Sequence, residues 1–414
     1  MGNRFIERRR KLLKNIEDNS LVVLFAGREI YKSADETYEF TPNRNFFYLS
    51  GIDAPNIIIA LMKRKGEVAE EIFVERPDPV LARWVGEKLS AKEAREISGI
   101  EIVDIIDNFK GSIASLLSNY SISNVYLDLE RQEYNIPKTF SQEFAGNILE
   151  RYPYIRIKNI YDDICRLRVV KDEEEIALIK KAIDITGEGI ENMAKHMRAG
   201  MMEYEIEAYF DYTLKKNGVT DTAFKNIISS GKNATVLHYS SNNCRTPNYA
   251  LILFDVGAQY KYYNGDISRT FPLSSKFTQR QKDVYNAVLE TNIAIKEACK
   301  PGISVMELNE LSKKILSKGC RQLGLIKDDS ELSRYYFHSI GHYLGLDGHD
   351  VGDIGDRNLP MAEGTVITNE PGLYISEEGI GVRIEDDLLV TKSGCEELSH
   401  NIIKSVEDIE NFLL

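Results

Sequence analysis

The sequence predicts an α+β protein in two parts, an N-terminal α/β region over residues 1–160 and a larger catalytic-type region over residues 161–414. Three observations carry this reading. The 414 residues exceed the length at which one hydrophobic core stops growing, so two cores are expected, and 43% hydrophobic residues suffice to fill both. The first part mixes helical periodicity with short apolar runs. The second interleaves pairs of helices with runs of strands, without strict strand-helix alternation, which points to an antiparallel sheet covered by helices.

Taken in order, residues 4–16 place apolar side chains at helical spacing, and strands are expected over 21–25, 56–62 and 71–74, the last two joined by a turn near Lys65-Gly66. Around Tyr152 to Val170 the pattern loses a clear period, which puts the boundary between the two parts at about residues 158 to 170. Asp172 then caps a new helix, with Glu173, Glu174 and Glu175 in its first turn, where the positive end of the helix favours acidic groups. A solvated helix start explains that acidic run without any function. Helices are expected over 174–197 and 203–216, a β-rich stretch as far as residue 274, two further helices over 280–299 and 305–323, and strands within 365–391.

Composition excludes several classes. Lys and Arg total 52 against 64 Asp and Glu, a net charge of −12, and no basic cluster is long enough to follow a phosphate backbone, so nucleic acid is not an expected partner. The basic, amphipathic start lacks the apolar segment of a signal peptide, and nowhere do about 18 apolar residues run unbroken, so neither export nor membrane insertion is expected. Five scattered cysteines, Cys165, Cys244, Cys299, Cys320 and Cys395, show no C-x-x-C spacing and read as free thiols of a cytoplasmic protein.

Four segments carry candidate chemistry. In LILFDVGAQYKYYNGDISRTF an apolar strand delivers Asp255, a turn near Asn264-Gly265 reverses the chain, and Asp266 begins the return strand. Two buried carboxylates facing each other repel unless cations neutralise them, although the same residues are also ordinary turn formers. In the second segment, from Phe337, three of the six histidines, His338, His342 and His349, are interleaved with glycines that permit close backbone approach. His196 and His400 stand alone and need no site. In VITNEPGLYI, Pro371 ends a strand immediately after Glu370. In GVRIEDDLLVT, period-two alternation puts Arg383 and Glu385 on one face of a strand, where they can equally form a simple ion pair.

Together these segments offer Asp255, Asp266, His342, Glu370 and Glu385, four carboxylates and one imidazole, whose charge balances two divalent cations. An oxygen-rich set favours Mn²⁺, with Zn²⁺, Co²⁺ or Fe²⁺ also compatible. Two such ions roughly 3.5–4 Å apart can share one nucleophilic hydroxide, which is the site of a hydrolase.

The order and wording of these segments resemble the pita-bread metallopeptidases, and more narrowly the aminopeptidase P (Xaa-Pro aminopeptidase) family, over most of the chain. The FDVG, GDISRTFP, GHYLGLDGHDVG, NEPGLY and RIEDD wordings match that family's metal ligands at Asp255, Asp266, His342, Glu370 and Glu385. The resemblance implies a pita-bread catalytic domain behind an aminopeptidase-P-type N-terminal domain, and a homodimer or homotetramer that removes the first residue of peptides carrying proline second. It further implies that His238 and His349 line the substrate pocket and aid proton transfer or carbonyl polarisation, that Arg383 orients substrate or a ligand carboxylate, and that Glu370 passes the proton of the attacking water to the leaving nitrogen. His338 either supports the site from behind, close to substrate, or simply packs. Trp84, the sole tryptophan, lies in a motif that the family places near an active site of the oligomer. Phe224 departs from the tyrosine of some relatives, so no hydroxyl acts at that position.

SADETYEFTPNRNFFYLSG, residues 33–51, resembles the aminopeptidase P N-terminal motif and favours that family over the methionine aminopeptidases. A prolidase restricted to Xaa-Pro dipeptides is the nearest alternative. A catalytically silent peptide-binding module is the alternative of another class, and the complete ligand set speaks against it and against creatinase.

Overall fold

The computed structural model describes residues 2–130, 133–352 and 357–414. The chain divides into two compact units, 1–168 and 169–414. No helix among the described residues is long and apolar enough to cross a membrane.

The first unit is built on a six-stranded mixed sheet whose spatial order is Ile102–Ile105, Glu67–Val74, Ile58–Arg64, Ser20–Phe25, Asn124–Leu127 and Arg156–Asn159. The three central strands pair antiparallel, and the outer ones join in parallel. In Ser20–Phe25 both alternating sets, Leu21 and Val23 as well as Val22 and Leu24, are buried, the signature of a strand covered on both faces. Leu21, Val23, Val125 and Leu127 pack with Phe109, Ile113 and Leu117 of the helix Phe109–Asn119 and with Ile148 of Phe140–Arg151. Arg9 is wholly buried, its guanidinium donating to Glu70 and to the carbonyls of Leu49 and Ser98, so its charge is paired and its donors are used.

The second unit is antiparallel throughout its described strands. Ile227–Ser230, Leu251–Val256 and Ile267–Pro272 form one sheet, Val366–Asn369, Asp386–Val390 and Cys395–Glu397 another, and Gly372–Ile375 with Ile380–Arg383 a separate hairpin. The helices Glu173–His196, Glu203–Lys216, Gln279–Ala298 and Val305–Gln322 lie close to the expected spans. Asp172 caps the first through a capping box with Glu175.

Two expectations need correction. The chain does not reverse at Asn264-Gly265. The two-residue turn falls at Lys261-Tyr262, both with positive φ as a type I′ turn requires, while Asn264 is paired with Gln259 in the ladder. Gly265 serves close approach instead: a Cβ there would meet the Ile183 amide nitrogen at 3.0 Å, and one at Gly257 would meet the Gly265 carbonyl oxygen at 2.0 Å. Nor do Arg383 and Glu385 share one continuous strand. The strand Ile380–Arg383 ends at Arg383, and a new one starts at Asp386 on a different sheet. In the crossover the Ile384 and Glu385 amides donate to the carbonyls of Pro371 and Ser268, at 3.3 and 3.0 Å.

Candidate active site

The antiparallel pairing sets Asp255 opposite Ser268, so the strand end bearing Asp255 and the strand start next to Asp266 meet at one edge. The crossover brings Glu385 to the same place, because its backbone is tied to Ser268 and its carboxylate accepts from Ser268 Oγ at 2.7 Å. Beneath it the buried Arg269 donates to the Glu385 carbonyl at 2.6 Å and to Asp386 at 2.7 Å, and Lys404 also reaches Asp386. Arg269 and Lys404 thus hold Asp386 in its ionised form, its carboxyl depressed below the usual range despite burial.

His342 arrives on an irregular segment pinned to the strand Val366–Asn369, its amide donating to Thr368 Oγ1 and its carbonyl accepting from the Thr368 amide. A Cβ at Gly341 would meet the Thr368 carbonyl oxygen at 2.1 Å, so glycine is what allows this approach. His342 Nδ1 lies 3.0 Å from the Tyr343 carbonyl and therefore donates to it. In the neutral ring, Nε2 then presents a lone pair toward Asp266 Oδ2 at 3.4 Å and Glu370 Oε1 at 3.6 Å. A divalent cation seated between these atoms would be met by the imidazole lone pair and both carboxylates.

Asp266, His342 and Glu385 each offer a donor atom, all within 4.8 Å of one another. Burial raises the carboxyls of Asp266 and Glu385 well above their ordinary range, and the neighbouring carboxylates, Asp255 and Glu370 among them, raise them further. Glu370 is raised as well, first by burial. Asp387, which the sequence does not single out, accepts the Asp266 amide through Oδ2, while its buried Oδ1 has no hydrogen-bond partner among the described residues. Its signal is no more than the doubled acid of RIEDD. A nest of buried, mutually repelling carboxylates around an imidazole lone pair fits divalent metal, by the chemistry of its donors.

Arg383 brings a fully buried cation to this nest. It donates through Nη2 to Asp255, through Nε to Ser268 Oγ at 2.8 Å and through Nη1 to the Tyr374 hydroxyl at 3.0 Å. Burial works against its charge, but the surrounding Tyr374, Asp255, Glu385 and Glu370 outweigh that and hold it firmly protonated. Tyr374, with its hydroxyl pushed up to about 12 by burial, lies 2.9 Å from His338 Nε2. His338 Nδ1 in turn donates to the Ser339 carbonyl at 2.8 Å, and burial followed by Arg383 lowers this ring to about 3, so it is neutral. Tyr374 is not legible as a site residue in the sequence, where it is one aromatic of an apolar strand.

A cavity of about 700 Å³ opens over these groups, lined by Asp255, Asp266, His342, Glu370, Arg383 and Glu385 and also by His238, His338, His349 and Phe224. His342 and His349 have ring centroids 4.2 Å apart. His349 is held below its ordinary range by burial and by the neighbouring His342 and His238. The lining belongs to the second unit alone. Trp84, in the first unit, is 83% exposed on the short helix Ala82–Val85.

The same two-part organisation is found in known proteins. Residues 177–392 match the model of metallopeptidase family M24, and residues 5–126 match that of the aminopeptidase P N-terminal domain. The chain is 30% identical to an Escherichia coli Xaa-Pro aminopeptidase, covering 99% of this chain and 97% of that protein. It is 32% identical to the Haemophilus influenzae Xaa-Pro aminopeptidase, over 99% and 96%. Among solved structures it matches one described as an aminopeptidase P from Bacillus anthracis, with a TM-score of 0.98 and 48% identity over 100% of this chain and 98% of that one. It also matches aminopeptidase P from E. coli with the inhibitor Pro-Leu, with a TM-score of 0.92 and 30% identity over the same shares.

Proposed function

The chain belongs to metallopeptidase family M24 and carries the aminopeptidase P N-terminal domain, and from that premise we propose that it removes the first residue from peptides with proline in second position, using two divalent metal ions. The observation that carries the reading is the meeting of the His342 Nε2 lone pair with the carboxylates of Asp266, Glu370 and Glu385 on the floor of a peptide-sized cavity.

Asp255, Asp266, His342, Glu370 and Glu385 are the proposed ligands, and Mn²⁺ the favoured metal, since four of the five groups donate oxygen. Bound there, a metal pair supplies Lewis acidity toward water and the scissile carbonyl. The side chains do the rest. Glu370 takes a proton from the attacking water and hands it to the leaving proline nitrogen. Arg383 holds the Asp255 carboxylate in place through their buried ion pair. His238 and His349, which line the same cavity, bind the peptide and polarise its carbonyl, while His338, neutral and tied to Tyr374, supports Arg383 from behind. Proline lacks an amide N–H and fixes φ, so a protease that aligns substrate through main-chain hydrogen bonds at that residue loses its grip, whereas a pocket that accepts the ring does not.

Five free thiols suit the cytoplasm. Val80, Trp84 and Val85, all strongly exposed, offer an apolar surface for self-association into a dimer or tetramer.

The deciding assay is hydrolysis of Gly-Pro-Ala by the purified protein with Mn²⁺. Release of glycine is expected, and Asp266→Ala should lose both bound metal and turnover. Activity confined to the dipeptide Gly-Pro would make the chain a prolidase, and wild-type protein inert toward every proline peptide with Mn²⁺, Co²⁺ or Zn²⁺ would favour a silent binding module.

A further inference from the structure

His238 sits on a stretch of chain that neither sheet nor helix holds. After the strand Ile227–Ser230 the chain makes the 3-10 turn Gly231–Thr235 and runs irregularly to Cys244, and Leu237, His238 and Ser240 from that run line the cavity. The proposed metal ligands all lie on other segments. One carboxylate ties both ends of the loop together. Glu203, at the first position of the helix Glu203–Lys216, is 0% exposed and accepts five hydrogen bonds. Its Oε1 accepts from the Ser230 amide at 2.9 Å, Ser230 Oγ at 2.8 Å and Asn233 Nδ2 at 3.1 Å. Its Oε2 accepts from the Tyr239 hydroxyl at 2.7 Å and the Cys244 amide at 3.0 Å.

The donors come from both ends of the loop and from Tyr239, the residue next to His238. All five are neutral. A carboxylate taken out of water is costly unless its lone pairs are filled, and here the loop fills them, so loop and charge depend on each other. One helical turn on, Glu207 repeats the device, accepting from Asn226 Nδ2 at 3.1 Å and Asn242 Nδ2 at 2.9 Å. From the other side the loop presses on the strand that ends at Arg383, where a Cβ at Gly381 would meet the Ala234 carbonyl oxygen at 2.0 Å.

We propose that Glu203 is a positioning residue for the peptidase reaction: its buried carboxylate clamps the 230–244 loop and thereby sets the placement of His238 against the substrate. This rests on the peptidase reading above.

The test is Glu203→Gln in the full chain. A glutamine of the same length places an N–H where at least two donors already point, so one end of the loop is released. With Gly-Pro-Ala and Mn²⁺, kcat/KM should fall by about 10- to 100-fold, the scale of a misplaced binding group, with bound metal unchanged. In a His238→Ala background the same substitution should cost less than about threefold, because a residue acting only through His238 has nothing left to place. Equal losses in both backgrounds, or wild-type kcat/KM in Glu203→Gln, would overturn the proposal. Amide hydrogen exchange separates this from the peptidase reading itself: it should quicken over 236–244 and stay unchanged over Val366–Asn369 whether or not any proline peptide is cleaved, and unaltered exchange over 236–244 overturns the clamp. Should Glu203→Gln fail to fold, Tyr239→Phe removes a single donor. A smaller loss with the same dependence on His238 is then expected, and no loss refutes the clamp.

Discussion

Asp128 and Asp266 are both buried carboxylic acids, and what surrounds each decides its chemistry. Asp266 faces other carboxylates and a lone pair, which cations relieve. Asp128, in the first unit, receives Asn45 Nδ2 on both oxygens at 3.2 Å. Burial raises its carboxyl from 3.8 to about 6, the amide bonds and Arg168 only partly opposing this. A folded-state value above the unfolded one means that the native unit binds the extra proton, so this group favours folding below about pH 4 and progressively disfavours it as pH climbs to about 6. A rise from 3.8 to about 6 is equivalent to about 3 kcal/mol at most. Asp128→Asn keeps an acceptor for Asn45 and removes the ionisation. Urea unfolding of the first unit is therefore expected to lose most of its fall in stability between pH 4 and 6, and the variant should exceed wild type at pH 7.5. A variant weaker than wild type at pH 7.5 would mean that the attraction of Arg168 outweighs burial.

At the scale of elements, the paired strands Leu251–Val256 and Ile267–Pro272 position two of the five proposed ligands, and their spacing depends on a backbone approach only glycine permits. Gly257→Ala, two residues after Asp255, would drive a methyl into the carbonyl of Gly265, the residue before Asp266. Backbone cannot yield as a flexible side chain does, so a loss of about 1–3 kcal/mol is expected, together with weaker Mn²⁺ binding by titration calorimetry; wild-type affinity would show that the strands re-space without moving the carboxylates. Much of this layer was legible in the sequence. The helix over 203–216 follows from its periodicity, and the strand carrying Asp255 from the apolar run that precedes it. The break between Arg383 and Asp386 was not, because alternation along one strand says nothing about which partner it pairs with, and here the partner changes within two residues. The four-residue strands Ile102–Ile105, Asn124–Leu127 and Arg156–Asn159 are too short to display a period at all. Tyr374, Ser268 and Asp387 reach the site only through tertiary contacts, which local pattern does not encode.

For the whole molecule, the two units differ in what stabilises them. The first has an apolar core on both faces of its sheet and a fully paired Arg9. The second also has apolar clusters, but gathers buried carboxylates in one place, where Asp266, Glu385 and Asp387 are held far from their preferred ionised state. Metal that binds the folded unit and not the unfolded chain stabilises it by mass action, about 2.7 kcal/mol at a free concentration a hundredfold above Kd. Removing it with a chelator should therefore speed amide exchange in Leu251–Val256 and Asp386–Val390 by about 100-fold, while Ser20–Phe25 and Asn124–Leu127 keep their protection. Equal acceleration in both units would mean that the chelator weakens the protein generally, and no acceleration in either would mean that Arg383 and protonation already settle the carboxylates without metal. A response confined to the second unit is what a cluster of buried carboxylates neutralised by bound metal requires.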